Sequence, residues 1–180
     1  MKNKKELTAE QLALRRKRQK NDIVRFFAKL IMMIAVGIVT FCFIFGIAIV
    51  PDDDMRPVMR GGDIVLYYRN FSALRQNDIV VYRQSENLHC GRVIAMAGDT
   101  VEVTAEETLI INGSTMSEQD IFYKTPAYEN GITYPVTLNS DEYFLLGDYR
   151  QNAKDSRYYG AVSVNDITGK IITVIRRNNL

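Results

Sequence analysis

The spacing of hydrophobic positions changes once along this chain, near residue 50. Leu30 to Val50 is an unbroken run of 21 residues without a charge. At about 1.5 Å rise per residue, that run predicts a helix able to cross a hydrocarbon core about 30 Å thick. Its length disfavours a buried helix of a soluble protein, and also a cleaved secretory signal, whose apolar core is roughly 7–15 residues. Upstream, Thr8-Ala9-Glu10-Gln11 has the form of a capping box and predicts a short, exposed, fraying helix through the residues that follow. Downstream, short segments rich in β-branched and aromatic residues read as strands: Gly62–Tyr68, Asp78–Tyr82, Arg92–Met96, Val101–Val103, Thr108–Ile111, Tyr143–Leu146 and Ile167–Ile175. Asn112-Gly113 is a hairpin turn signal. Residues 114–142 are richer in Ser, Glu, Asn and Pro and read as long loops with room for a hairpin. No internal repeat and no ten-residue amphipathic helix interrupts the body. The predicted architecture is mainly β, an antiparallel β-domain preceded by one N-terminal transmembrane α-helix. Its parts are a basic tail over 1–29, an anchor over 30–50 and a β-domain over 51–180.

Charge adds an orientation. Residues 1–29 carry ten Lys or Arg against three acids, whereas residues 51–180 carry 13 against 18. Excess Lys and Arg beside a span stays cytoplasmic, so the N-terminus is expected inside and the β-domain outside the cell membrane. The run Arg15-Arg16-Lys17-Arg18-Gln19-Lys20 suits anionic headgroups better than nucleic acid when it lies next to a membrane. Cys42 lies within the span and Cys90 in the body, so they cannot pair. The external domain is expected to hold together through its core alone, which about 130 residues can supply.

Chemistry enters at Pro51-Asp52-Asp53-Asp54-Met55-Arg56-Pro57-Val58, directly after the apolar run. This stretch resembles the nucleophile box of the type I signal peptidases, whose core reads Ser-Met-x-Pro-Thr. Arg92-Val93-Ile94-Ala95-Met96-Ala97-Gly98-Asp99 is similar to that family's lysine box and Gly-Asp turn. Gly147-Asp148-Tyr149-Arg150, continuing through Asp155-Ser156-Arg157-Tyr158-Tyr159-Gly160, resembles its terminal box. One Gly-Asp turn would carry no information. Several boxes in the family's order, on a chain with an anchor, are specific. The resemblance covers about residues 30–177 and implies a signal-peptidase-type β-domain.

In that family a serine attacks the peptide carbonyl and a lysine, kept neutral by burial, acts as general base. Carried over by position, the resemblance puts Asp54 where the serine would stand and Gly91, just before Arg92, where the lysine would stand. Ala153 takes the place of the serine that orients the lysine. Asp52 takes the place of the serine whose hydroxyl assists the oxyanion hole in part of the family. Asp148, Arg150, Asp155, Ser156 and Arg157 match the family's scaffold residues. The replacements thus fall on nucleophile, base, orienter and oxyanion donor together, while the frame stays. Glycine has no group to remove a proton. A carboxylate at 54 faces the charge developing in the transition state: two like charges about 4 Å apart at an effective dielectric near 20 repel by roughly 4 kcal/mol, about three decades in rate. Serine-type hydrolysis is therefore not expected.

Other chemistry finds little support. An aspartic dyad of Asp54 with Asp148 or Asp155 is disfavoured, because the resemblance ties both of those carboxylates to arginines. His89 and Cys90 are adjacent on a strand, so they face opposite ways and form no nucleophile pair; His89 reads as a rim residue sharing a face with Gly91. No His, Cys or carboxylate spacing suggests a metal site, and no phosphate or dinucleotide loop occurs, so no cofactor is expected. Gly91 is expected to leave a gap beside Asp54, whose carboxylate would be neutralised by Arg56 or by a cation from a partner.

The resemblance implies a groove that takes an extended peptide as an added strand, and strand addition draws on backbone hydrogen bonds rather than on the dyad. The expected groove residues are Asp52, Asp54, Met55, Gly91 and Arg92. Signal-peptidase-like proteins of this degenerate type occur in Gram-positive pilus gene clusters beside sortases. An assembly or chaperone factor contacting pilin subunits, a sortase, or both is thus the leading expectation. A peptidase with altered residues and a purely structural anchored module are the alternatives.

Overall fold

A computed structural model describes residues 9–118, 121 and 123–176. It divides into two units, residues 1–43 and residues 44–180. Thr8 of the expected capping box lies outside the described residues.

The described residues of the first unit are helix. A single α1, Ala9–Ile44, runs through both the basic segment and the apolar run, so the expected separate, short basic helix is instead continuous with the span. Leu14–Ile44 is long and apolar enough to cross a membrane, which makes it a candidate anchor. From Phe26 to Ile44 the helix carries one charge, Lys29, and measures about 28 Å, close to a hydrocarbon core. Lys29 stands near one end, where a long side chain can reach the headgroups.

The end of the apolar run departs from expectation. Helix stops at Ile44, and Phe45–Ile49 form a strand, β1, so the run predicted as helix through Val50 is divided. The physical reason is a partner. β1 pairs antiparallel with β2, Ile64–Tyr68, from Phe45 opposite Tyr68 to Ile49 opposite Ile64. Sheet hydrogen bonds then replace the last turn and a half of helix.

The second unit is an antiparallel β-domain. Its remaining strands are β3 (Ile79–Gln84), β4 (Asn87–Ala95), β5 (Thr100–Val103), β6 (Leu109–Ile111), β7 (Ser114–Thr115), β8 (Val136–Thr137), β9 (Glu142–Leu146), β10 (Val162–Ser163) and β11 (Ile167–Ile175). Seven strands form one sheet in the order β1-β2-β11-β3-β4-β9-β10, and four form a second in the order β7-β6-β5-β8. Every strand predicted from the sequence is present. Asn112 and Gly113, with φ of 52° and 77°, make the β6–β7 turn, as the Asn-Gly signal requires. One short helix, α2 (Ser156–Tyr159), lies between β9 and β10.

Three apolar clusters hold the domain, and one of them positions the site. Val50, Met55, Met59, Val65, Tyr67, Val81 and Cys90 pack together. Met55 and Met59 are completely buried, so they pin the loop between β1 and β2 to the sheet from both ends of its central turn. The amides of Val50 and Gly62 close the loop on the carbonyls of Asp63 and Val50, at 2.8 and 2.9 Å. Asp52, Asp53 and Asp54 sit on that pinned loop.

Candidate functional site

Three arginine–carboxylate pairs frame the site. Arg92, on β4, holds Asp148 through two hydrogen bonds, Nε to Oδ1 at 2.7 Å and Nη2 to Oδ2 at 2.6 Å. Arg157 does the same for Asp155, through Nε at 2.9 Å and Nη2 at 2.8 Å. Asp155 also accepts from the amides of Gly147 and Arg157, the latter contact capping α2. Arg157 continues to the carbonyls of Pro126 and Arg150 and lies over the ring of Tyr128. Arg150, fully buried, reaches the carbonyl of Gly147, the hydroxyl of Thr125 and both carboxylate oxygens of Glu118. Ser156 Oγ accepts from the amide of Leu145 at 3.0 Å. Charges this deeply buried persist only when paired and hydrogen-bonded, and each of these is. Asp148 and Asp155 are therefore committed to arginines, and neither is available to Asp54 as the second carboxyl of an aspartic dyad.

The frame grips Asp54 from two sides. Its carbonyl accepts from the amide of Tyr149 at 2.9 Å, and its Oδ2 from the amide of Lys154 at 3.0 Å. Gly147 makes the approach possible, because a Cβ there would stand 2.3 Å from the Cβ of Ala153 and 2.6 Å from the carbonyl oxygen of Asp54. The Asp54 amide in turn donates to Asp52 Oδ1 at 3.2 Å. Arg56, expected as the neutralising cation, pairs instead with Asp53 at 2.7 Å. No Lys or Arg among the described residues pairs with Asp52 or Asp54.

Burial first, then the charge of Asp52, push the Asp54 carboxyl up to about 6. The sign for stability follows. The folded state holds this proton more tightly than the unfolded chain, so ionising Asp54 weakens folding as pH rises from about 4 through about 6, and the penalty is complete above that. Asp54→Asn keeps the acceptor for Lys154 and removes the charge. It is expected to stabilise the protein at pH 7.5 by about 1 kcal/mol, a figure discounted for the carboxyl's solvent contact. The gain should vanish below about pH 4. Urea unfolding at the two pH values, in EDTA, reads the difference.

Gly91 is where sequence and structure part most usefully. The expected gap beside Asp54 is filled. A Cβ built on Gly91 would meet the Tyr82 ring at 3.1 Å and Leu145 Cβ at 3.3 Å. Tyr82, from β3, is buried and shares a hydroxyl–hydroxyl hydrogen bond with Tyr159. Tyr159 also donates to the Lys154 carbonyl at 3.1 Å. His89 stacks on Tyr82 with ring centroids 5.6 Å apart, on the face it shares with Gly91, as strand alternation predicts. Cys90 points the other way into the core, and burial pushes its thiol up to about 12, so it is no nucleophile at neutral pH.

Two expected groove residues are placed elsewhere. Met55 joins the core because its apolar side chain has no exposed surface. Arg92 turns to Asp148 and the carbonyl of Asn77. Asp52 and Asp54 remain partly open. His89 was read as a rim residue and no metal spacing was expected, yet donor atoms of Asp52, Asp54 and His89 lie within 4.8 Å of one another. Spacing of 35 residues between Asp54 and His89 hides that meeting from the sequence.

The family model for signal peptidase, peptidase S26, matches this chain over residues 23–175. The chain belongs to that family. It is 30% identical over 154 residues to a signal peptidase I of Leptolyngbya laminosa, covering 78% of this chain and 72% of that protein. To signal peptidase I P of Bacillus subtilis subsp. natto it is 26% identical over 165 residues, covering 85% and 89%. A crystal structure of a signal peptidase I from Enterococcus faecalis V583 aligns with a TM-score of 0.46 at 26% identity, over 58% of this chain and 100% of that one.

Proposed function

We propose that this chain is a membrane-anchored member of the signal peptidase family that holds an extended peptide without cutting it, as an accessory or chaperone factor in pilus assembly. Its partners are pilin subunits, a sortase, or both, met on the outer face of a Gram-positive cell membrane. The observation that carries this reading is the filled space at Gly91. Tyr82 and Leu145 crowd even the first side-chain carbon of a general base at 91, and Asp54 supplies a carboxylate in place of a hydroxyl. The basic N-terminal segment and the apolar helix support an anchor with its N-terminus inside.

Binding has its own support. Residues Asn87–Cys90 of β4 pair with β3 on one side, whereas β9 pairs only from Arg92 onward. That half-strand, which carries His89, thus offers a free edge, among the described residues, near Asp52. An added strand would find backbone donors and acceptors there.

A second reading is a working signal peptidase with non-standard residues. Family membership favours it, as does an Asp54 carboxyl that burial pushes up to about 6. Purified pilin and sortase, each titrated in EDTA against the full chain in detergent, test the first reading. Saturable binding to one of them is expected. Binding to neither would leave an anchored structural module.

A further inference from the structure

We propose that Asp52, Asp54 and His89 form a binding site for a divalent transition-metal ion, with Zn2+ as the preferred occupant. Three observations converge. The first is geometric: the donor atoms lie within 4.8 Å of one another, and His89 Nδ1 stands 3.8 Å from Asp52 Oδ2. Donors around a tetrahedral zinc at roughly 2.0–2.1 Å are about 3.4 Å apart, so small rotations of two aspartate side chains close the site. At 3.8 Å the histidine and aspartate are too far apart for a hydrogen bond with each other.

The second is that each carboxylate is already aimed. Asp52 uses Oδ1 for the Asp54 amide, and Asp54 uses Oδ2 for the Lys154 amide. One oxygen on each remains for an ion, while the backbone fixes the other. Supports of this kind orient metal ligands and tune their affinity.

The third is that the site holds an unmet need. His89 Nδ1 is shut off from solvent and has no hydrogen-bond partner, and such orphaned buried atoms are rare. Two carboxylates face each other while the neighbouring cations are engaged: Arg56 by Asp53, Arg157 by Asp155, Arg92 by Asp148. A divalent ion would relieve the repulsion and the orphan together. One nitrogen with two oxygens selects zinc-like ions over Mg2+ and Ca2+, which favour all-oxygen shells.

The site goes beyond the groove's reading as a peptide holder, and the two fail separately, because pilin and sortase binding is measured in EDTA. For the metal, the tag-free full chain in detergent is stripped with chelator, desalted and titrated with ZnCl2 by calorimetry. Co2+ absorption serves as a second readout. One ion per chain is expected, weakened about tenfold or more in His89→Ala and in Asp52→Asn, unchanged in Cys90→Ser, with Mg2+ and Ca2+ failing to compete. A visible Co2+ band that disappears in His89→Ala would place the imidazole on the ion. His89→Ala removes a partly exposed ring, so it serves as the decisive variant if Asp52→Asn unfolds. No saturable Zn2+ binding to the parent chain would overturn the proposal. So would equal affinity in parent and His89→Ala, or loss of binding in Cys90→Ser.

Discussion

Asp155→Ala is expected to destabilise the β-domain by about 3–5 kcal/mol, the largest loss of any single change at the site. The carboxylate is 2% exposed and Arg157 is 0% exposed, so removing one leaves the other's charge buried and unpaired. Four contacts go at once: the amides of Gly147 and Arg157, and the two guanidinium bonds. The Gly147 contact matters beyond its own energy, since that turn seats the carbonyl of Asp54. Thermal unfolding should move down by roughly 10 °C or more. Adding Arg157→Met should recover part of the loss, because two apolar replacements leave no orphaned charge. A shift of only a degree or two in the single variant would show that water reaches the pair.

Gly91→Lys is the second large effect, and it bears on mechanism. Lysine at 91 must displace the Tyr82 ring from 3.1 Å and Leu145 from 3.3 Å. Overpacking of this kind destabilises by about 1–3 kcal/mol, before the burial of an ammonium is counted. Restoring serines at 54 and 153 as well, in Asp54→Ser/Gly91→Lys/Ala153→Ser, should not produce cleavage of an exported preprotein. The first carbon of the lysine side chain already crowds a ring that is held by its bond to Tyr159. If Gly91→Lys melts within a degree of the parent, the ring yields freely and the packing argument is wrong.

Strands β7, β8 and β10, of two residues each, are too short to carry a pattern, but the seven longer strands of the body were legible in the sequence because each satisfies a local rule, alternation of β-branched residues bounded by turn residues. β1 was not, because Phe45–Ile49 continues an apolar run that looks the same as helix from within. Only pairing with residues 64–68, twenty positions on, makes it a strand. The site divides in the same way. The motif resemblance named Asp148, Arg150, Asp155, Ser156 and Arg157, yet it could not supply Glu118 or Thr125, which lie in the irregular 114–142 segment and hold Arg150. It also named what Gly91 lacks without naming what replaces it. Tyr82 lies on the strand beside Gly91, and its filling role depends on the β3–β4 register. His89 reaches Asp52 through the same register, against a loop pinned by Met55 and Met59. Local pattern reveals elements and long-range register reveals sites.

The most direct measurement incubates the unaltered full chain, reconstituted in lipid vesicles, with an exported preprotein, with and without zinc, and reads mature product on a gel. Held but uncut precursor is the predicted result in both conditions. Mature product formed by the parent chain and lost in Asp54→Ala would contradict it, and would make Asp54 a working catalytic group.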